Sequence, residues 1–398
     1  MVRSKFIRIS KHIGIPIILI MIGYLINPFK LGFLFGYPLI LVILSKQSFI
    51  KKNLDLDFLL LLVLSAVYAL FYAFDPVQGT QSIIVYFIFP ALFYLLGKYI
   101  WSRLGNTHAL FVLLMIVGVI YSLSGLISVM MNIMENGFGQ IDRSIPMFWS
   151  PSADGVAATI MGSFFVFNMC IPALLVYVPK KLNLLFRIAM IAIFILSILC
   201  VLRIGTRTQI AIFVITTLVS LIYIIPRQSL RRNTIMFIVF VGGVFFLIQN
   251  LSIDLNSDLL SAFADRMEGS NSNLASGGGR TQRWTKSLEY IFVKPLGWKV
   301  EEFGHSHNLW LDVLRVSGII PFFLLIIFSV RSYINIKRAT KIDKKEIYFN
   351  NQIRIYALGL FLLFMVEPIF EGMFSLFVVF CFLMGIVNKY RTERLKFT

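Results

Sequence analysis

Residues 108–132 read HALFVLLMIVGVIYSLSGLISVMMN and include no aspartate, glutamate, lysine or arginine. A run of about 20 apolar residues is long enough to cross the hydrocarbon core of a bilayer as an α-helix. Eleven further runs are predominantly apolar, although the first two and the eleventh of the twelve are short for a bilayer. We therefore predict an all-α polytopic membrane protein with about twelve spans in a single transmembrane domain, residues 1–398. The predicted spans are 13–27, 31–45, 57–74, 82–100, 108–132, 155–178, 184–202, 208–225, 234–250, 308–330, 353–366 and 369–388.

The composition indicates the same class of protein. Hydrophobic residues make up 58% of the 398 residues and charged residues 14%. Soluble globular domains carry about 25% charged residues. A soluble core cannot bury so much apolar surface, which excludes an ordinary soluble enzyme.

The net charge of +18 is explained by where the basic residues lie. If the N-terminus is cytoplasmic, 26 of the 37 lysines and arginines fall on the cytoplasmic side, and 13 of the 19 acidic residues fall on the other side. Membrane proteins enrich their cytoplasmic segments in Lys and Arg in this way. We therefore predict cytoplasmic N- and C-termini and no nucleic-acid partner.

The largest predicted outer loop is 251–307. Its segment 269–279 is rich in Gly, Ser and Asn, which is typical of a flexible connection. The next segment, RTQRWTKSLEYIF (280–292), has apolar residues at 284, 288, 291 and 292. This spacing predicts a short amphipathic helix that can lie on the membrane surface.

Polar and charged residues inside or beside membrane spans are costly and are therefore candidate functional residues. In the predicted topology the conspicuous ones gather at the outer face. They are Arg143, Arg203, Arg207, Arg280, Arg283, His305, His307, Asn308, Asp312, Arg315, Glu367 and Glu371.

These residue types suit one chemistry in particular. Arginine forks match phosphate oxygens, and the glycine run 277–279 beside Arg280 lets backbone N–H groups approach the same anion. A phosphate at the outer leaflet is usually attached to a lipid. Neutral histidine can accept a proton from a hydroxyl near pH 7. Together these features predict glycosyl transfer from a lipid-linked diphosphate.

Plainer interpretations stand beside this one. An arginine at the end of a span most often contacts lipid headgroups. His305 and His307 could form part of a zinc site with Glu301 or Glu302 as a third ligand, although no metal-ligand spacing recurs elsewhere.

The helix after the histidines leaves similar alternatives open. Asn308, Asp312 and Arg315 are spaced to stack on one helix face. Asp312 and Arg315 could also be an intrahelical pair that only neutralises two charges. Glu367 and Glu371 can form an acidic cap or bind an acceptor sugar.

At the histidines the sequence resembles the O-antigen ligase and O-antigen polymerase superfamily of bacterial envelope enzymes. That family carries His, then Asn, Ser or Gln, nine further residues, and G-x-x-G at the end of its large outer loop. Here His307 and Asn308 are followed by residues 309–317 and then by Gly318. The final glycine of the motif is replaced by Pro321.

Two further elements agree with the resemblance, which covers residues 200–390. The family's arginine in a small polar turn corresponds to Arg207 in GTRTQ (205–209). Its G-R-x-x-x-W/Y element before a P-L-x-G segment corresponds to residues 279–284 and 295–297.

The resemblance implies a GT-C-like glycosyltransferase with twelve spans in the bacterial cytoplasmic membrane. Its donor would be an undecaprenyl diphosphate-linked glycan, with no nucleotide sugar, metal or other cofactor. Arg207 and Arg280 would hold the diphosphate, with Arg143 as a further site residue. His307 would be the base or would orient the acceptor, with His305 secondary. We assign Asn308 to the catalytic residues of the same site and Arg203 and Arg283 to its diphosphate-binding residues. Four more residues would bind the acceptor or support the site: Asp312, Arg315, Glu367 and Glu371.

Three functions are consistent with these residues. A polysaccharide polymerase would join lipid-linked repeat units of O-antigen, capsule or exopolysaccharide, with a chain-length regulator as a candidate partner. A ligase would move finished glycan onto lipid A-core with the same donor chemistry. A transporter of lipid-linked sugars would instead need ionisable residues near the membrane midplane. We favour the polymerase.

Overall fold

The computed structural model describes residues 13–77, 79–138, 143–151, 155–179, 182–250 and 279–395. Of the residues that the structure describes, 80% are helical and none forms a strand. The helices are α1 (Ile15–Ile26), α2 (Gly32–Leu44), α3 (Gln47–Asn53), α4 (Leu56–Tyr72), α5 (Gln81–Leu104), α6 (Thr107–Asn136), α7 (Ala158–Ser163), α8 (Val166–Met169), α9 (Ile171–Leu175), α10 (Leu184–Arg203), α11 (Arg207–Ile224), α12 (Leu230–Asn250), α13 (Arg280–Val293), α14 (Leu309–Ser317), α15 (Ile319–Ile342), α16 (Ile347–Phe364), α17 (Ile369–Gly372) and α18 (Phe374–Arg394).

The helices confirm an α-helical membrane protein. Every predicted span overlaps at least one helix. Among the described residues six helices are long and apolar enough to cross a membrane, namely α5, α6, α10, α11, α15 and α18. The α2–α3 pair, bent by 85°, would make a seventh if it is one span. Twelve spans and a GT-C-like arrangement stay predictions.

Three predicted spans are interrupted. The segment predicted at 155–178 folds as the three short helices α7 to α9, and that at 369–388 as α17 and α18. The span predicted at 308–330 breaks at Gly318, whose φ of 75° and ψ of −167° are not helical. The long helix therefore begins at Ile319 and continues to Ile342.

The described residues form two compact units. Residues up to 124 and from 279 onward form the first unit, and residues 125–250 form the second. Residues 251–278, which make up half of the predicted outer loop, lie outside the described residues.

The first unit is built around close contact between α5 and α18. A side chain at Gly97 would overlap the carbonyl oxygen of Phe382, and one at Gly385 would overlap that of Tyr94. Small residues allow helix backbones to approach in this way where lipid supplies no hydrophobic driving force between helices.

A buried polar network joins α4, α15 and α18. The carboxylate of Asp57 accepts hydrogen bonds from Asn335 Nδ2 at 2.7 Å and Asn388 Nδ2 at 3.1 Å, and it pairs with Arg331. Next to it, Lys98 donates to the backbone carbonyl of Asn53 at 2.8 Å. Sequence patterns could not reveal this network, because its members lie up to 331 residues apart in the chain.

Candidate functional site

Helix α13 is the scaffold of the outer-loop site. The predicted helix is confirmed, but its four apolar residues do not form one surface that faces the membrane. Trp284 and Ile291 pack inward against a core cluster, whereas Leu288 and Phe292 are exposed. The core cluster consists of Trp298, Leu311, Leu314 and Phe322.

The segment after α13 is tied by its backbone to the break before α15. The Ile319 N–H donates to the Pro295 carbonyl at 2.9 Å, and the Trp298 N–H donates to the Arg315 carbonyl at 2.9 Å. A side chain at Gly318 would overlap the Pro295 carbonyl oxygen. The glycine of the motif is therefore needed both for its positive φ and for this close approach.

His307 is held in a strained backbone conformation. Its φ is 52°, in the left-handed region that non-glycine residues rarely adopt. The Ser306 N–H donates to Asp312 Oδ1 at 2.8 Å, and the Asn308 N–H donates to Asp312 Oδ2 at 3.1 Å. One carboxylate thus clamps the backbone on both sides of His307.

Asn308 caps α14. Its side-chain oxygen accepts from the N–H groups of Trp310 at 3.1 Å and Leu311 at 3.2 Å, as an N-cap residue does. Its Nδ2 donates to the Met365 carbonyl at 3.2 Å. These contacts support a positioning role for Asn308, whereas the sequence placed it among the catalytic residues.

The loop between α16 and α18 brings two carboxylates to the site. The buried Glu367 lies between an arginine and a histidine. Its Oε1 is 3.6 Å from Arg280 Nη2, and its Oε2 is 4.0 Å from His307 Nδ1. These distances place an arginine and a histidine around one anionic group.

Glu371 makes a second set of contacts. Its Oε2 is 2.6 Å from His305 Nδ1, and its carboxylate also pairs with Arg315. Asp312 and Arg315 still attract each other electrostatically, but they are more than an intrahelical pair, because Arg315 is also paired with Glu371 and Asp312 also binds backbone N–H groups.

The histidine loop is also anchored to α13 by polar contacts. Arg283 Nη1 donates to the His305 carbonyl at 3.2 Å, and Trp284 Nε1 donates to the Ser306 carbonyl at 2.8 Å. The hydroxyls of Ser287 and Ser306 are 2.7 Å apart. Sequence analysis missed the two serines, because a serine carries no pattern that reveals a remote partner, and it took Trp284 for a purely apolar residue.

The other three predicted arginines lie in the second unit. Arg143 donates to the carbonyls of Ile204 at 2.8 Å and Gly205 at 3.3 Å, in the turn that precedes α11. Arg207 is the first residue of α11, and Arg203 is buried in the last turn of α10. Arg143 thus supports the turn that carries Arg207.

A metal centre finds no support in the part of the chain that the structure describes. No group of three or more His, Cys, Asp or Glu side chains there is placed to hold an ion. The histidines approach Glu367 and Glu371 instead of Glu301 or Glu302, and arginines already pair with both carboxylates.

The surroundings of His307 favour its neutral form. Burial, followed by the positive charges of Arg280 and Arg283, lowers the pKa of His307 to about 4. The imidazole is therefore uncharged at neutral pH and can accept a hydrogen bond or a proton.

We expect His307 to titrate near pH 4 in the absence of substrate. The measurement is an NMR titration of protein labelled with carbon-13 histidine, in which the His307 resonance is assigned by its loss from His307→Gln. In Arg280→Gln the pKa should rise towards the ordinary value of about 6.5, because one repulsive charge is removed. A His307 resonance that titrates near 6.5 in the wild type would contradict this assignment.

Comparison with known proteins adds no family to this picture. No protein-family model matches the chain, and no curated protein is significantly similar to it in sequence.

Proposed function

We propose that this protein is a polysaccharide polymerase. It would join undecaprenyl diphosphate-linked repeat units of O-antigen, capsule or exopolysaccharide at the outer face of the bacterial cytoplasmic membrane. The observation that carries the proposal is the meeting of Arg280, His305 and His307 with Glu367 and Glu371 next to the start of a membrane-spanning helix.

Arg280 is suited to a diphosphate. In the substrate-free protein its guanidinium pairs with the carboxylate of Glu367, which belongs to the protein itself. A diphosphate carries more charge and matches the guanidinium fork better, so it can displace this pairing. A diphosphate bound beside Arg280 would then lie close to His307.

The reaction uses the histidines for proton transfer. The acceptor hydroxyl oxygen attacks the anomeric carbon of the donor sugar, and the bond between that carbon and the diphosphate oxygen breaks. The lipid diphosphate leaves with the electron pair, and the hydroxyl proton passes to His307. Bound diphosphate would offset the charges of Arg280 and Arg283, which raises the pKa of His307 and makes it a better base.

Glu371 supports the second histidine. A carboxylate 2.6 Å from His305 Nδ1 can fix the tautomer and orientation of the ring. Arg315, paired with the same carboxylate, holds Glu371 in place. His305 then presents its other nitrogen to the acceptor sugar.

The deciding experiment is chain length of the surface glycan in a deletion strain. Wild-type protein should restore a ladder of chain lengths on a gel, whereas cells without the protein should carry single repeat units. If cells without the protein instead accumulate long chains on the lipid carrier and transfer none of them to lipid A-core, the protein is the ligase. If lipid-linked units accumulate only on the cytoplasmic side, it is a transporter.

A further inference from the structure

The exposed face of α13 changes character along its length. Near its start the exposed residues are polar, whereas its last two residues and Leu296 just beyond are large, apolar and exposed. Phe292 is 87% exposed, Val293 72% and Leu296 70%. The polar exposed residues of the first half are Thr281, Gln282, Thr285 and Lys286.

The apolar end is fastened to a membrane-spanning helix. Two backbone hydrogen bonds of 2.9 Å hold the segment that follows α13: Ile319, the first residue of α15, donates to Pro295, and Trp298 donates to Arg315 in the last turn of α14. Helix α15 is long and apolar enough to cross a membrane. The apolar end of α13 therefore lies beside the first residue of that helix.

The lipid-facing surface of α15 is too short by itself. Its exposed apolar side chains run from Ile320 to Ile334 and are followed by exposed Lys337 and Arg338. The rise from Ile320 to Ile334 at 1.5 Å per residue is ~21 Å, against a hydrocarbon core of ~30 Å. Any tilt of the helix widens this gap of ~9 Å. Lys337 and Arg338 mark the inner end of this surface, because their charged heads must reach the headgroups even though their apolar stems can cover part of the gap.

We propose that Phe292, Val293 and Leu296 form a hydrophobic wedge that inserts into the outer edge of the bilayer and contacts phospholipid acyl chains. The wedge continues the lipid-facing surface of α15 where that surface is missing. Helix α13 then slopes from the aqueous side at Arg280 into the membrane at Val293. This lipid contact does not depend on which reaction the site catalyses.

The test is fluorescence quenching by lipid on the full-length protein. An NBD probe is attached at Phe292→Cys, Leu296→Cys or, as the matched control on the polar half of the same helix, Lys286→Cys. Each variant is placed in vesicles of phosphatidylcholine and phosphatidylglycerol, with or without bromine on the acyl chains. Background from native thiols is low because all three are buried in the structure, at Cys170, Cys200 and Cys381.

We expect brominated lipid to lower the fluorescence of the probes at positions 292 and 296 by about two-fold or more, and to leave that at position 286 nearly unchanged. The reason is that interfacial helices bury apolar side chains ~5–10 Å deep. Aqueous iodide should show the reverse order. Strong iodide quenching at 292 and 296 would place the wedge in water and overturn the proposal. Protection from both quenchers would mean that protein, such as a second copy of the chain, covers the wedge, and would also overturn it.

Discussion

Polymer synthesis by a His307→Gln variant is expected to fall by about 10²–10⁴-fold, the usual contribution of a general base. Glutamine keeps polar atoms and similar size but cannot take up a proton. The clamp by Asp312 acts on the backbone on both sides of this position, so the loop should keep its conformation. The measurement is the rate of chain extension on lipid-linked repeat units in isolated membranes, at matched protein levels.

The matched control for this variant is His108→Gln. His108 lies in the first turn of α6 with its ring beside Tyr348, away from the outer-loop histidines in the chain. Its substitution should leave the extension rate within about two-fold of wild type, as a residue outside the proton transfer does. A normal rate in the His307→Gln variant would remove the catalytic role assigned to His307.

The second large effect concerns stability. Asp57→Ala is expected to cost about 3 kcal/mol or more, because Arg331 loses its buried counter-charge and two asparagine amides lose their acceptor. The thermal unfolding midpoint of the detergent-purified protein should drop by several degrees.

A control variant distinguishes the loss of this buried network from the loss of a partly exposed charge pair. Asp343 is 3.8 Å from Arg394 and is partly exposed, so Asp343→Ala should cost less than about 1 kcal/mol. Combining Asp57→Ala with Arg331→Ala should recover part of the loss, because the unpaired charge is removed with its partner. An Asp57→Ala midpoint equal to that of Asp343→Ala would show that the network contributes little.

Local features of the outer-loop site could be predicted from the sequence. The spacing of residues 280–292 predicted α13, and the motif at His307 and Asn308 predicted a loop that turns into a helix. The replacement of the last motif glycine by Pro321 also proved compatible with the fold. Pro321 lies in the first turn of α15, where backbone N–H groups have no intrahelical partner.

Partners across the chain could not be predicted. The spacing of Asp312 and Arg315 suggested an interaction along their own helix, but it gave no sign that Asp312 also binds the backbone around His307. Arg315 pairs with Glu371, which lies beyond two whole helices, α15 and α16. Trp284 and Ile291 face the protein core and not the membrane, although the periodicity of α13 is the same for either orientation.

The sequence by itself determined that this is a helical membrane protein, the approximate positions of its long apolar helices, and which few polar residues are candidates for chemistry. These properties depend on hydrophobic runs and on the 3.6-residue period, which are local and can be read from neighbouring residues. Only the tertiary structure decided that Glu367 meets Arg280 and His307, that Glu371 meets His305 and Arg315, and that Gly318 divides a predicted span. These contacts depend on close packing of segments that are far apart in the chain. Helix periodicity determines which residues share a helix face, but it does not determine which other helix that face contacts.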